Sequence, residues 1–167
     1  MRSIVTFTTI LGLALVSGQA IAQQKTLKDQ LVGHWIFVSS VDTGKDGTQT
    51  NRFGPNPKGL AMFDPSGRFS FFISRADIPK FAANSVNQGT AEENKAVMQG
   101  TIAFYGTWDV DEPSKTLITK VEAATFPNLN GVTQKRTITS LTADELKYSN
   151  PVTSAGTSTN AVWRRAK

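Results

Sequence analysis

Apolar and polar residues alternate along most of the chain that follows residue 33. This period of two is the spacing that places successive side chains on opposite faces of a β-strand. In the first such segment Trp35, Phe37 and Ser39 share one face, whereas Ile36 and Val38 share the other. The same alternation predicts eight strands, over residues 34–41, 59–64, 68–74, 101–110, 117–124, 132–140, 146–149 and 157–165.

Two segments carry helix signals instead. A short helix is predicted to end at Leu31, because Leu27 lies four positions earlier and shares its face. Thr90 and Glu93 have the spacing of a capping box, in which each residue satisfies a backbone N–H group of the other. A second helix is therefore predicted over residues 91–98.

The order of these elements predicts an all-β fold. Most connections are short enough to join antiparallel neighbours. The exceptions are residues 42–58, a loop rich in Gly, Thr, Asn and Pro, and a helical insertion around residues 75–100. Because open sheet edges invite aggregation, we expect an eight-stranded antiparallel up-and-down β-barrel, with the short N-terminal helix before it and the insertion as a lid over its mouth. A β-sandwich is the alternative, since periodicity alone does not separate the two folds.

The N-terminal segment has the organisation of a secretory signal peptide. Arg2 supplies a positive start, residues 4–16 are apolar, and Ala20-Ile21-Ala22 has the small-x-small pattern of a cleavage site. The apolar stretch would span only about 20 Å of a hydrocarbon layer about 30 Å thick, so we expect no integral membrane anchor. We expect residues 1–22 to be removed, residues 23–167 to form a single domain, and the protein to be periplasmic or secreted.

The composition excludes several classes of site. Cysteine is absent, which excludes disulfides, thiolate metal sites and cysteine nucleophiles. His34 is the one histidine and should point away from the face of Trp35, so we assign no catalytic residue. The formal charge is +5, but the basic residues are scattered, so we expect no nucleic-acid partner. Asp109, Asp111 and Glu112 lack calcium-loop spacing and indicate a turn, and we expect neither a metal nor a cofactor.

Short segments spread over residues 27–166 match the pattern of a known family. They are Leu31-Val32-Gly33-His34-Trp35, Phe53-Gly54-Pro55 with Lys58-Gly59, Asp64-Pro65-Ser66-Gly67-Arg68, Tyr105-Gly106-Thr107-Trp108, Phe126-Pro127 and Val162-Trp163-Arg164-Arg165. With these segments the chain resembles the bacterial lipocalin-like domain family, and the Gly33–Trp35 segment is similar to the G-x-W signature of lipocalins. The resemblance implies a barrel with a central cavity, in which Trp35 packs across the closed end and Arg164 or Arg165 covers its ring. It implies no established reaction.

The strand faces that would line this cavity carry aromatic residues and one cation. Arg136 shares a face with Ile138 and is a candidate to hold an anionic ligand head. Tyr105 is a candidate polar handle beside the aromatic rings. The predicted lining is Phe37, Phe69, Phe71, Ile73, Phe104, Tyr105 and Arg136.

These features favour non-covalent binding of a small, mainly hydrophobic molecule inside the barrel. One alternative is a cofactor-free isomerase or cyclase, which would need a protonatable pair such as Tyr105 with Arg136 or Glu122 inside the cavity. The other is a structural envelope protein with a filled barrel. Shifted ionisation of cavity residues would favour the enzyme, and the absence of a cavity would favour the structural protein.

Overall fold

Two helices and nine strands make up the part of the chain that the computed structural model describes, residues 25–167; the predicted signal peptide lies outside these described residues. The helices are α1 (Leu27–Leu31) and α2 (Ala91–Gly100), and neither is long and apolar enough to cross a membrane. Short 3₁₀ turns lie at Val86–Gln88 and Pro127–Leu129. The strands are β1 (Gly33–Thr43), β2 (Gln49–Thr50), β3 (Lys58–Phe63), β4 (Arg68–Ser74), β5 (Thr101–Asp111), β6 (Thr116–Ala124), β7 (Thr133–Leu141), β8 (Glu145–Asn150) and β9 (Ser158–Arg165).

Eight of these strands close into an antiparallel barrel. Strands β3 to β9 pair in chain order, and β1 pairs with β3 through residues 33–36 and with β9 through residues 35–43. The two-residue strand β2 pairs with the end of β1, within the segment that the sequence predicts as a loop. Because every barrel strand has two hydrogen-bonded neighbours, the predicted eight-stranded barrel is confirmed and the sandwich is excluded.

A β-bulge changes which residues of β1 enter the barrel. Trp35 and Phe37 are buried, as the alternation predicts, but the register with β9 shifts immediately after Phe37. The extra residue reverses the alternation, so Ser40 and Asp42 are buried in place of Ser39. The assignment of Ser39 to the inner face is therefore wrong, and the strand continues into the predicted loop.

One end of the barrel is closed by α1 and Trp35. Leu31 and Trp35 are both fully buried, and the indole Nε1–H of Trp35 donates a hydrogen bond of 2.8 Å to the carbonyl oxygen of Leu31. Gly33 joins the helix to β1 with a φ of +124°, and a Cβ atom there would lie 3.0 Å from a guanidinium nitrogen of Arg165. The hydrogen bond of Trp35, the tryptophan of the G-x-W signature, thus fixes the short helix to the barrel.

Arg165 covers the ring of Trp35, as the resemblance implies. Its Cζ atom lies 4.1 Å from the centroid of the indole, within range of a cation–π interaction. Its guanidinium also donates hydrogen bonds to the carbonyl oxygens of Gln30, Val32 and Ala143. Arg164 does not share this role, because it alternates with Arg165 and its side chain is exposed on the outer face of β9.

The acidic cluster at the end of β5 anchors α1. The carboxylate of Glu112 accepts hydrogen bonds of 2.9 Å from the backbone N–H groups of Leu27 and Lys28, which the first turn of a helix leaves unpaired. The ammonium group of Lys28 lies 2.8 Å from the carboxylate of Asp109. Residues 112–115 form a turn, as predicted, and the turn also fixes the position of the helix.

The helical insertion contains the predicted helix and extends it to Gly100. The hydroxyl of Thr90 accepts a hydrogen bond from the N–H of Glu93, and the Glu93 carboxylate accepts one from the N–H of Thr90, which confirms the capping box. The C-terminal end of α2 reaches the barrel mouth, where Met98 and Gln99 border an open basin. The inner cavity described below is lined by residues outside α2, so the insertion forms part of the rim.

Candidate functional site

The open end of the barrel contains a cavity that continues into a basin at the mouth. The inner cavity has a volume of about 70 Å³. The basin outside it has a volume of about 480 Å³. Both are bordered by Asp42, Arg52, Ile102 and Ser154, so the cavity and the basin adjoin at these four residues.

One wall of the inner cavity is apolar. It is formed by Phe71 and Ile73 of β4 and by Ile102 and Phe104 of β5, with Phe37 at its edge. The rings of Phe71 and Phe104 are stacked, with centroids 4.5 Å apart. Four residues of the predicted lining thus lie on this wall: Phe37, Phe71, Ile73 and Phe104.

The opposite wall is polar, and the strand register brings its residues together. Ser40 of β1 and Tyr148 of β8 lie at one level, because both pair with Ala161 of β9. Asp42 and Asn150 lie at the next level, because both pair with Thr159. Strand β7 completes this wall with Gln134 and Arg136. The cavity therefore has two chemically different sides.

Arg136 is the buried cation of the polar wall. It is only 4% exposed, and its guanidinium donates to the hydroxyl of Thr119 at 2.8 Å and to the side-chain oxygen of Gln134 at 2.6 Å. Its Cζ atom lies 5.7–5.9 Å from the ring centroids of Phe71, Phe104 and Tyr148. Among residues 25–167 no carboxylate oxygen lies within 4 Å of its nitrogens.

Burial disfavours the charged forms of two cavity groups and so shifts their pKa values in opposite directions. Desolvation lowers the pKa of Arg136, because burial disfavours the charged guanidinium. Desolvation likewise raises the pKa of the Tyr148 hydroxyl, although the charge of Arg136 acts against this rise. At neutral pH the wall therefore presents hydrogen-bond donors, a guanidinium and a protonated phenol.

Arg52 spans the mouth of the cavity. Its Nε–H donates to the carbonyl oxygen of Gln99 at the end of α2, and its terminal nitrogen donates to the hydroxyl of Ser154 in the β8–β9 connection. Its Cζ atom lies 5.2 Å from the ring centroid of Phe53. Burial lowers the pKa of Arg52, and the nearby carboxylate of Asp42 acts against this change.

Below the cavity the barrel is filled. A void of only about 10 Å³ remains there, among Leu117, Leu146 and Trp163. Phe69 lies in this filled half, stacked with Phe63 at a centroid distance of 6.5 Å. Its inward direction agrees with the alternation of β4, but it does not border the inner cavity, so its inclusion in the lining is corrected.

Tyr105 lies outside the barrel. It is 48% exposed, because it alternates with Phe104 and Gly106, which face inward. Gly106 also permits a close approach of β5 to β6: a Cβ atom there would lie 1.9 Å from the carbonyl oxygen of Lys120. The predicted placement of Tyr105 in the cavity is wrong, and Tyr148 supplies the buried hydroxyl instead.

The protonatable pair considered for an enzyme is not assembled. Glu122 is exposed on the outer face of β6, where its carboxylate pairs with Arg68. Tyr105 is also on the outside, so neither group shares the cavity with Arg136. His34 is exposed on β1, as its alternation with Trp35 predicts. The polar groups that do meet in the cavity come mainly from β1, β7 and β8, with Thr159 of β9 and Arg52 beside them.

The chain is similar in fold to several solved structures. A crystal structure of a lipocalin-like protein from Bacteroides uniformis is 14% identical, with a TM-score of 0.46 over 82% of this chain and 99% of that one. Bovine odorant-binding protein in complex with a selenium-containing odorant is 17% identical, with a TM-score of 0.42 over 87% of this chain and 76% of that one. A redesigned β-barrel, mFAP1 bound to DFHBI, is 18% identical, with a TM-score of 0.40 over 84% of this chain and 100% of that one.

The family of the chain follows from its sequence profile. No curated protein matches the chain significantly. A model of the lipocalin-like domain matches residues 32–166, which include all the strands of the barrel and the tryptophan and arginine of its closed end. The chain therefore belongs to the lipocalin-like domain family.

Proposed function

We propose that this protein binds a small, mainly hydrophobic molecule in the cavity of its barrel, in the periplasm or outside the cell. The observation that carries the proposal is the stacked pair Phe71 and Phe104, which forms an apolar wall beside an open path to solvent. Aromatic walls with a few polar groups are typical of small-molecule sites. The location outside the cytoplasm is supported by the signal-peptide pattern of residues 1–22.

The dimensions of the site indicate how a ligand would lie. The inner cavity of about 70 Å³ takes only a few non-hydrogen atoms. The remainder of the molecule would occupy the basin, where Met98, Ile102 and Phe126 supply apolar surface. Burial of that surface contributes about 25 cal/mol per Å² to binding. The ligand we propose is therefore an elongated or flat molecule with one end inside the barrel.

The filled barrel of a purely structural protein is disfavoured by the same geometry. The core is closed around Trp163 but opens above Arg136, where polar side chains of three strands meet an aromatic wall. A barrel that served only stability would gain by filling this space with apolar side chains, because each unfilled volume loses packing energy. The polar wall instead favours a site for a ligand.

An enzyme is the second candidate, and one observation favours it. Arg136 and Tyr148 have pKa values shifted by burial, as acid–base groups of active sites often do. Both groups, however, are protonated at neutral pH and donate hydrogen bonds. This arrangement supports holding an oxygen anion more directly than it supports removing a proton, so we place binding before catalysis.

The proposal is tested by titration with a neutral apolar dye, N-phenyl-1-naphthylamine, whose fluorescence rises in apolar surroundings. We expect Phe71→Ala to weaken dye binding by about thirtyfold, because a buried phenyl group contributes on the order of 2 kcal/mol and about 1.4 kcal/mol corresponds to a factor of ten. The matched control is Phe72→Ala, which removes the outward-facing neighbour on the same strand. Equal affinities for the wild type and both variants would exclude the cavity as the site.

A second experiment identifies the natural ligand. The protein is purified from its own host and examined by native mass spectrometry. We expect a co-purifying small molecule that is absent from Phe71→Ala prepared in the same way. A retained molecule in Phe71→Ala and in the wild type alike would place the ligand elsewhere on the protein.

A further inference from the structure

Arg136 carries the one buried charge of the cavity that no carboxylate offsets. At the mouth the charge of Arg52 is accompanied by the carboxylate of Asp42, which opposes the lowering of the Arg52 pKa by burial. At the floor the guanidinium of Arg136 meets the neutral oxygens of Thr119 and Gln134, which take two of its five N–H donors. Burying a cation without a counter-charge is costly unless a ligand supplies that charge.

A second unused group lies on the same wall. The hydroxyl of Ser40 is buried and has no hydrogen-bond partner among the described residues. Ser40 lines the inner cavity and lies at the level of Tyr148, since both pair with Ala161. A buried hydroxyl is rarely left unpaired in a folded protein. The wall therefore offers donors from three strands: Ser40, Arg136 and Tyr148.

The depth of these groups decides the orientation of a ligand. Arg136 and Tyr148 border both the inner cavity and the small void beneath it, so they form the cavity floor. Phe71 and Phe104 reach the same level from the apolar wall. A molecule that satisfies the floor must enter with its polar end first and leave its apolar part along the aromatic rings.

We propose that the ligand is an amphipathic organic carboxylate, whose head binds Arg136 at the cavity floor and whose apolar body extends past Phe71 and Phe104 to the basin. The inference rests on the proposed function and names its ligand class. Arg52, Arg136 and Asp42 are the charged residue types among the described residues that line the cavity, and their formal charges sum to one positive charge that a monoanion neutralises. A planar carboxylate also suits the fork geometry of a guanidinium.

The test compares octanoate with octan-1-ol, which have the same number of carbon atoms and differ in charge. Binding to the full mature protein is measured by displacement of N-phenyl-1-naphthylamine, near neutral pH. We expect the wild type to bind octanoate at least about tenfold more tightly than octanol, because hydrogen bonds to a charged partner favour the anion. We expect Arg136→Met to reduce this preference to near unity while octanol still binds.

Two further variants separate the site from general charge effects. Arg164→Met removes an exposed arginine of the last strand and should keep the full preference for octanoate. Arg136→Lys keeps the positive charge but lacks the planar, two-pronged guanidinium, so it should retain part of the preference for octanoate over octanol. If Arg136→Met does not fold, the wild-type comparison and Arg136→Lys still decide the question.

The outcomes distinguish the two proposals. Equal affinity of the wild type for octanoate and octanol, or an unchanged preference in Arg136→Met, overturns the carboxylate inference and leaves the apolar cavity as the site. Failure of the dye, octanoate and octanol to bind the wild type overturns the proposed function itself. A preference for octanoate that Arg164→Met abolishes would place the anion on the outer surface and also overturns the inference.

Discussion

Two arginines show how differently the two ends of the barrel are built. At the closed end the guanidinium of Arg165 lies 4.1 Å from the ring centroid of Trp35 and donates to three carbonyl oxygens. At the open end Arg136 is 4% exposed and donates to two neutral side chains. The first arginine satisfies backbone groups that the end of α1 leaves unpaired, whereas the second remains short of a counter-charge.

The difference separates the part of the molecule that maintains the fold from the part that we propose as the ligand site. Around Trp35 the indole N–H and the guanidinium of Arg165 both donate to backbone carbonyl oxygens. Around Arg136 the protein accepts a desolvated cation and the unpaired hydroxyl of Ser40. A cost of this kind persists in a protein when it serves a function, so the two ends should respond oppositely to substitution.

The largest effect is expected at the closed end. Trp35→Ala should lower the free energy of unfolding by about 3–5 kcal/mol, because it removes a fully buried indole and leaves a cavity. Phe53→Ala, at the open end, should cost clearly less, because the ring of Phe53 borders the cavity on one side. Urea denaturation measures both. Equal costs would show that the open end contributes as much to stability as the closed end.

The next effect compares the two arginines directly. Arg165→Met should lower the free energy of unfolding by about 2–3 kcal/mol, because it removes charged hydrogen bonds and the contact with Trp35. Arg136→Met should change the same quantity by less than about 1 kcal/mol or raise it, because the burial cost is lost together with two hydrogen bonds. Urea denaturation in the absence of any ligand measures both values.

Exposed Arg164 is the control for this comparison. Arg164→Met should leave the unfolding free energy within about 0.5 kcal/mol of the wild type, as expected for a surface substitution. A large loss of stability in Arg136→Met, similar to that in Arg165→Met, would contradict the distinction between a structural and a ligand-binding arginine.

A pH titration measures the ionisation of Tyr148 at the open end. Burial raises the pKa of Tyr148 above its ordinary value of 10.0. The neutral phenol is favoured in the folded state, so its contribution to stability is complete below that value and is lost as the pH rises through the folded-state pKa. In Tyr105→Phe, Tyr148 is the sole remaining tyrosine, and its ultraviolet absorbance reports its ionisation.

Arg136 provides the control for this titration. Because its charge lowers the pKa of Tyr148, adding Arg136→Met should move the absorbance midpoint to still higher pH. A midpoint that does not move would show that the two groups do not interact across the cavity floor.

Alternation along the strands predicts an all-β fold, whereas closure of the sheet into a barrel follows from the cost of open edges and from the family resemblance. Alternation groups Phe71 with Ile73 and Arg136 with Ile138 on shared strand faces, because a regular strand has a strict period of two, but it does not tell which face is the inner one. It does not give depth, so Phe69 shares a face with Phe71 but lies in the filled half of the barrel. The height of a residue depends on strand tilt and register, which only the closed sheet defines.

The two wrong predictions have different causes. A bulge interrupts the alternation of β1, and the prediction for Tyr105 follows its residue type instead of the alternation of β5. The bulge of β1 brings Ser40 and Asp42 inward, and nothing in the local residue types marks its position. The hydroxyl group of Tyr105 suggests a polar handle in the cavity. Phe104 and Tyr105 are consecutive, however, and consecutive residues of a regular strand cannot both face the interior. The bulge near this point places its extra residue on β6, opposite Tyr105 and Gly106, so the alternation of β5 is unbroken.

The smallest effect is expected from the surface ion pair of the closed end. The hydrogen bond from Lys28, with a further one from the N–H of Val110, lowers the pKa of Asp109 below 3.8. The stabilisation is therefore present above this value and is lost as the pH falls through the folded-state pKa. Because both side chains are substantially exposed, Asp109→Asn should cost only about 0.5 kcal/mol at neutral pH. The cost should vanish in acid, where urea denaturation of the wild type and of the variant should coincide.

Lys28→Met should produce the same loss, and the double variant should lose no more than either single one, since both substitutions break one pair. Additive losses would show that Asp109 stabilises the closed end without Lys28.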